Sequence, residues 1–215
     1  MKKLNTLFLI LTLSTGCSQE IVSSKYAESI NSNDLEDLLS VYSSDGFEGR
    51  QTGTKGDRTA ANFLRDFYIS NKIGPALNTI DYFQPYQLNL PGKMYTFNYS
   101  FPSTLRGYDR YAQGDNFVDT QNVASVIEGE IYPESYLIIT GHLDHVGING
   151  DEVYNGADDN GSGTVSILEI AQAFQEAVED GVRPKRPVVF LHVSGEEEGL
   201  LGSEYYVNNS LYPLE

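Results

Sequence analysis

Residues 136–144 read YLIITGHLD, residues 156–179 read GADDNGSGTVSILEIAQAFQEAVE, and residues 187–199 read PVVFLHVSGEEEG. Tyr136 to Thr140 is a short apolar run rich in β-branched residues, the composition of a strand. A helix from about Ser162 to Glu179 turns Val165, Ile167, Leu168, Ala171, Phe174 and Val178 inward, and Gly181 stands where a terminator belongs. Pro187 to Leu191 is apolar on both faces, as expected of a strand covered on two sides. With a further β-branched run at Asn122 to Ile127, this order predicts a three-layer α/β/α fold around a central mixed, mostly parallel sheet.

Upstream, Ser32 or Asn33 can cap a helix that carries Leu35, Leu38, Leu39 and Tyr42 on one face. Ser43 to Gly56 holds four glycines among polar residues and reads as a long exposed loop. A second helix is expected from about Asp57 to Asn71, burying Ala60, Ala61, Leu64, Phe67 and Tyr68. From Asp81 to Phe101 aromatic and polar residues alternate, predicting antiparallel strands with a turn at Pro91-Gly92. Residues 102–121 show no period and read as a loop or small insertion.

The start of the chain differs from the rest. Lys2 and Lys3 precede an apolar run from Leu7 to Leu13, and Ser14, Thr15 and Gly16 then lead to Cys17. The run is well short of the roughly 20 residues that a membrane-spanning helix needs, so it reads as an export signal. Leu13 to Cys17 resembles the lipobox of bacterial lipoproteins, although Ser14 stands where that pattern prefers Leu; the plainer alternative is an ordinary signal with an incidental cysteine. Cys17 is the only cysteine, so no internal disulfide is possible. The expected organisation is a signal over 1–16, a linker over 17–30 and a domain over 31–215. The expected location is the bacterial envelope, periplasm or cell surface, with a lipid on Cys17 as the only membrane contact.

Lys plus Arg number 14 against 30 for Asp plus Glu, a formal charge of -16 with no basic patch, which argues against a nucleic-acid partner. At 215 residues the chain suits one α/β domain.

Three polar clusters follow the apolar elements: Gly141 to Asp144, Gly156 to Gly163, and Gly195 to Gly199. Ligand sites in open α/β sheets gather at the carboxyl ends of strands, so the first and third should face one crevice. One imidazole with several carboxylates and no thiolate suits zinc or a similar divalent ion with a reactive water. Consecutive Glu196 and Glu197 can supply both a ligand and a general base.

In these clusters the chain resembles the co-catalytic two-zinc aminopeptidases, a family with glutamate carboxypeptidase-like and glutaminyl cyclase-like members. The likeness runs from Asn122-Val123 through GHLD, GADDNGSG and EEEGLLGS to Ser203, with a weaker echo in Phe47-Glu48-Gly49-Arg50. It implies that His142 binds one zinc, Asp159 bridges two and Glu197 binds the other. Glu196 would take a proton from the bridging water, and Asp144 would orient His142. Asp158 competes with Asp159 for the bridge, although the spacing to Asn160-Gly161-Ser162-Gly163 favours Asp159. The resemblance also implies a cis bond at Asp159-Asn160. Glu198 reads as a solvated or rim carboxylate, His145 as at most a site-edge residue, and His192 as structural.

The family completes its metal spheres with a later acidic residue and a late histidine. The only histidines here are His142, His145 and His192, so the C-terminal part is expected to be missing, the chain being a truncated reading of a longer gene or a short product. The function implied is removal of N-terminal residues from peptide substrates. Alternatives are glutaminyl cyclisation or a non-catalytic envelope binding role.

Overall fold

The computed structural model describes residues 24–89 and 117–214. The expected signal, Cys17 and the Pro91-Gly92 turn lie outside these residues. Helix α1 is Ser32–Tyr42, started by Asn31, whose side chain accepts from the N–H groups of Asn33 and Asp34. Helix α2 is Lys55–Ser70, capped by Thr54. Strands β1 (Gly74–Pro75), β2 (Phe83–Asn89), β3 (Phe117–Ile127) and β4 (Leu137–His142) follow, and then a hairpin of β5 (Gly147–Asn149) and β6 (Glu152–Tyr154). A π-helical turn, Ala157–Ser162, leads into α3 (Gly163–Glu179), and β7 (Val188–Val193) and α4 (Leu201–Asn208) complete the order.

The main sheet runs β1-β3-β7-β4, with β2 also paired to β3. Among the described strands only β4 and β7 pair in parallel; β3 pairs antiparallel with β1, β2 and β7. The mixed α/β class is as read from the sequence, but the described sheet is not mostly parallel. The reason is that β3 runs opposite to β7 as well as to β1 and β2, so only β4 and β7, which are linked through α3, pair in parallel.

Strand β7 shows why the sheet has two covers. Val188 and Phe190 face a core shared with Tyr42 of α1, Leu64 and Tyr68 of α2, and Val165 and Leu168 of α3. Val189, Leu191 and Val193 face the opposite core, with Tyr206 of α4 and the tail residues Leu211 and Tyr212. Alternation on a doubly covered strand yields the continuous apolar run seen in the sequence. No helix among the described residues is long and apolar enough to cross a membrane.

Two loop expectations change. Residues 43–56 are not an exposed loop: they form a 3₁₀ turn, Asp45–Arg50, in which Phe47, Gly49 and Arg50 are buried. Gly49 has φ +64, and a Cβ there would lie 2.6 Å from the Tyr154 carbonyl, so the glycine lets the turn press on the β5–β6 hairpin. Residues 117–121 are the first half of β3, not a loop. Asp119 has a partner on the neighbouring strand, where Gln87 Nε2 donates to Asp119 Oδ1 at 2.6 Å.

Candidate metal centre

The parallel register sets His142 beside Val193, so the segments leaving β4 and β7 emerge together from one end of the sheet. The turn before α3 reaches the same rim. Thr164 Oγ1 donates to the His142 carbonyl at 2.8 Å, fixing the start of α3 against the end of β4. The Asp159–Asn160 peptide is cis.

His142 Nε2 lies 3.1 Å from Asp159 Oδ1 and 3.9 Å from Glu196 Oε2. Its Nδ1 lies 3.1 Å from the Asp144 carbonyl and 3.8 Å from the Asp144 carboxylate. Donation from Nδ1–H to that carbonyl leaves the Nε2 lone pair turned to Asp159, the tautomer an imidazole ligand requires. The backbone of Asp144 therefore stands at hydrogen-bond distance where its side chain was expected to orient the ring.

The Asp144 carboxylate has other partners. Fully buried, it accepts from Thr52 Oγ1 at 2.8 Å and from the backbone N–H groups of Glu196 and Glu197 at 3.2 and 3.3 Å. Burial pushes its carboxyl upward, and these hydrogen bonds oppose the shift. It braces the two-glutamate loop from beneath.

His145 is not at the edge. Its Nδ1 is 2.7 Å from Glu197 Oε1, and the two side chains are 14% and 22% exposed. Donor atoms of His142, Glu196 and Glu197 lie within 4.8 Å of one another, and so do those of His145, Asp159 and Glu197. The sequence signal for His145 was its place three residues after His142. That spacing alone could not show that the Glu197 loop folds back onto it.

Arg50 holds these loops in place. Its guanidinium donates to the carbonyls of Leu143 (3.0 Å), Tyr42 (3.1 Å), Asn155 (2.7 Å) and Gly156 (2.8 Å), tying the ends of α1 and β4 to the turn before Asp159. Burial pulls its pKa down, while Tyr42 and nearby carboxylates including Asp159 and Glu197 pull it up. A second brace is Asp57, which accepts from Gly53 N–H at 2.9 Å, Thr120 Oγ1 at 2.8 Å and Ser194 Oγ at 2.9 Å. Ser194 is further held by Asn122 Oδ1, which accepts its N–H at 3.1 Å, and by Tyr86 Oη, which donates to its carbonyl at 2.6 Å. The residue just ahead of Gly195-Glu196 is thus pinned from three elements.

Among the described residues no Lys or Arg forms an ion pair with Asp159, Glu196 or Glu197. Three carboxylates and two imidazoles meeting without a protein cation make a nitrogen and oxygen donor set that fits zinc. Exposure rises from 13% at the His142 side chain to 33% at Glu196 and 65% at Asp159, so the donors open towards solvent.

An α/β sheet whose strand ends carry an open imidazole and carboxylate centre has the build of a metallopeptidase. The stretch 122–214 matches Peptidase family M28. The chain is 36% identical over 90 residues to a protein named "Probable glutamate carboxypeptidase" from Arabidopsis thaliana, which is 42% of this chain and 12% of that one. It is 42% identical over 77 residues to leupeptin-inactivating enzyme 1 of Streptomyces exfoliatus, covering 36% and 16% of the two chains. The fold superposes on an aminopeptidase from Aneurinibacillus sp. strain AM-1 with a TM-score of 0.61 at 14% identity, over 86% of this chain and 68% of the other. The matches to the curated relatives span less than a quarter of those relatives' length.

Proposed function

We propose that the protein is a zinc-dependent exopeptidase that removes N-terminal residues from peptides. The observation that carries this reading is convergence: His142 from the end of β4, Asp159 from the turn before α3, and Glu196 and Glu197 from the loop after β7 come together, and His142 Nε2 lies 3.1 Å from Asp159 Oδ1. His142, Asp159 and Glu197 would hold the metal, with Asp159 between two ions. Zinc bound there supplies a Lewis acid for the scissile carbonyl and lowers the pKa of water.

Glu196 takes the proton of the attacking water and returns it to the departing amine. Its backbone N–H on the Asp144 carboxylate keeps it poised beside His142. The acidic mouth offers an anchor to a free α-amine, which favours aminopeptidase over carboxypeptidase action. The proposed setting is the bacterial envelope, with a lipid on Cys17.

The test uses the full chain loaded with zinc. Leucyl-p-nitroanilide should be hydrolysed, and Glu196→Gln should lower kcat by about 100- to 10,000-fold while zinc content stays unchanged. Cyclisation of an N-terminal glutamine peptide in place of hydrolysis would move the assignment to the cyclase alternative. Equal behaviour of wild type and variant would leave only the envelope binding role.

A further inference from the structure

We infer that the seam between helices α1, α2 and α3 is a binding pocket for an aliphatic ammonium group, with Glu169 as its buried counter-ion. This goes beyond the zinc reading and does not depend on it, since the pocket is built from helix faces and holds none of the residues of the metal centre.

The pocket has a volume of about 410 Å³. Helix α1 presents Asp34, Asp37 and Leu38 to it, spaced as one helix face, and α2 presents Phe63 and Phe67 one turn apart. The rings are held from behind: Phe63 lies 5.6 Å from both Tyr42 and Phe47, and Phe67 meets Tyr68 edge-on at 6.1 Å. Glu169 of α3 adds a third carboxylate, and no Lys or Arg is in the lining. Carboxylates around aromatic faces without a protein cation suit a cation from outside.

Glu169 decides which kind. It is only 5% exposed, yet among the described residues no hydrogen bond or ion pair reaches its carboxylate. Burial, and then the neighbouring carboxylates of Asp34 and Glu176, push its carboxyl upward. The nearby amides serve other groups: Gln172 Nε2 donates to Glu176 Oε1 at 3.4 Å, and Asn31 Nδ2 to Asp34 Oδ2 at 2.7 Å. A carboxylate this deep ordinarily has a donor, so the one it lacks must come through the pocket. A metal ion is a poor fit, because Asp34, Asp37 and Glu169 do not draw together as the donors of the metal centre do within 4.8 Å. An ammonium group has N–H donors for Glu169 and a charge that Asp34 and Asp37 attract from the exposed mouth. Leu38 and the two rings supply apolar surface for the methylenes that carry it.

Such a group belongs either to a free amine or to a lysine side chain. The experiment titrates the full chain by calorimetry with 1-aminopentane and with the blocked peptide acetyl-Gly-Lys-Gly-amide, and uses 1-pentanol as the uncharged control. The blocked peptide has no α-amine to offer to the metal centre. At least one of the two ammonium compounds should bind where pentanol does not, and whichever binds names the source. Glu169→Gln, close in shape and neutral, should weaken that binding by about 10- to 100-fold while the urea midpoint of the free protein stays level or rises. Glu169→Met serves the same purpose where the glutamine variant does not fold. Binding of neither compound, equal affinity in wild type and variant, or pentanol bound as tightly as the amine would overturn the proposal and leave the zinc reading standing.

Discussion

Arg50 and Asp57 on one side, and Asp159 and Glu197 on the other, treat charge in opposite ways. The guanidinium of Arg50 is fully buried and has four backbone carbonyls as partners, and Asp57 is buried with three donors around its carboxyl. Asp159 is largely exposed, with a ring nitrogen of His142 at 3.1 Å. In the first region buried polar groups are engaged by hydrogen bonds that hold neighbouring segments in place. In the second, lone pairs are left available to an ion, and the site can remain open because the first region keeps the loops from collapsing onto it. A carboxylate that binds metal must keep at least one lone pair free for the ion; one that builds a frame need not.

The sharpest way to break this contrast is through pH. Burial pushes the Asp57 carboxyl up to about 7, so the folded chain keeps a proton that the unfolded chain loses near pH 4. Stability from this group is fully present below pH 4 and is lost as the pH rises through about 7. A shift of roughly three units at about 1.36 kcal/mol each amounts to roughly 4 kcal/mol. Urea denaturation from pH 4 to 8 should show the stability difference between wild type and Asp57→Asn shifting by about that amount against wild type. A difference that stays constant with pH would mean that Asp57 is ionised when buried, and the frame would then differ little from the rim.

Next in size is a paired comparison. Arg50→Met leaves the carbonyls of Leu143, Tyr42, Asn155 and Gly156 without these donors and should cost about 3 kcal/mol or more. Asp159→Asn in the metal-free protein should change stability by no more than about 0.5 kcal/mol. Equal losses for both variants, read from denaturation midpoints, would erase the division between frame and rim.

How far each region could be read in the sequence follows the same division. Strands β4 and β7 and helix α3 were legible because their apolar periods are local and strong, and the three site clusters because they abut those elements. Arg50 was visible only as a weak echo, since what makes it structural is a set of carbonyls as distant in sequence as Asn155 and Gly156. A glycine-rich polar stretch reads as exposed when its burial depends wholly on such remote partners. The first half of β3 was hidden because Asp119 and Gln121 interrupt the apolar run, although Thr120 beside them is fully buried and bonded to Asp57. His145 was hidden for a related reason: nothing within its own loop shows that Glu197 will arrive at 2.7 Å.

A further expected effect concerns a histidine that belongs to the frame. His192, on β7, is fully buried, and its Nε2 is 2.7 Å from Tyr68 Oη. Burial pulls its pKa down to about 3, so the ring stays neutral at ordinary pH and Nε2 acts as the acceptor of the tyrosine proton. His192 Nδ1 has no hydrogen-bond partner among the described residues, so the tyrosine is the one described polar contact of the ring. Tyr68→Phe keeps the stack of the ring between Tyr82 and Phe190, at 6.4 and 6.3 Å, and removes only the hydroxyl. The change should cost about 1 to 2 kcal/mol, the penalty for one neutral acceptor left unpaired in the core, with zinc affinity unaltered. Altered zinc binding in this variant would show that β7 transmits disorder from His192 to the Glu196-Glu197 loop, and that the frame reaches further into the rim than Arg50, Asp57 and Asp144 alone account for.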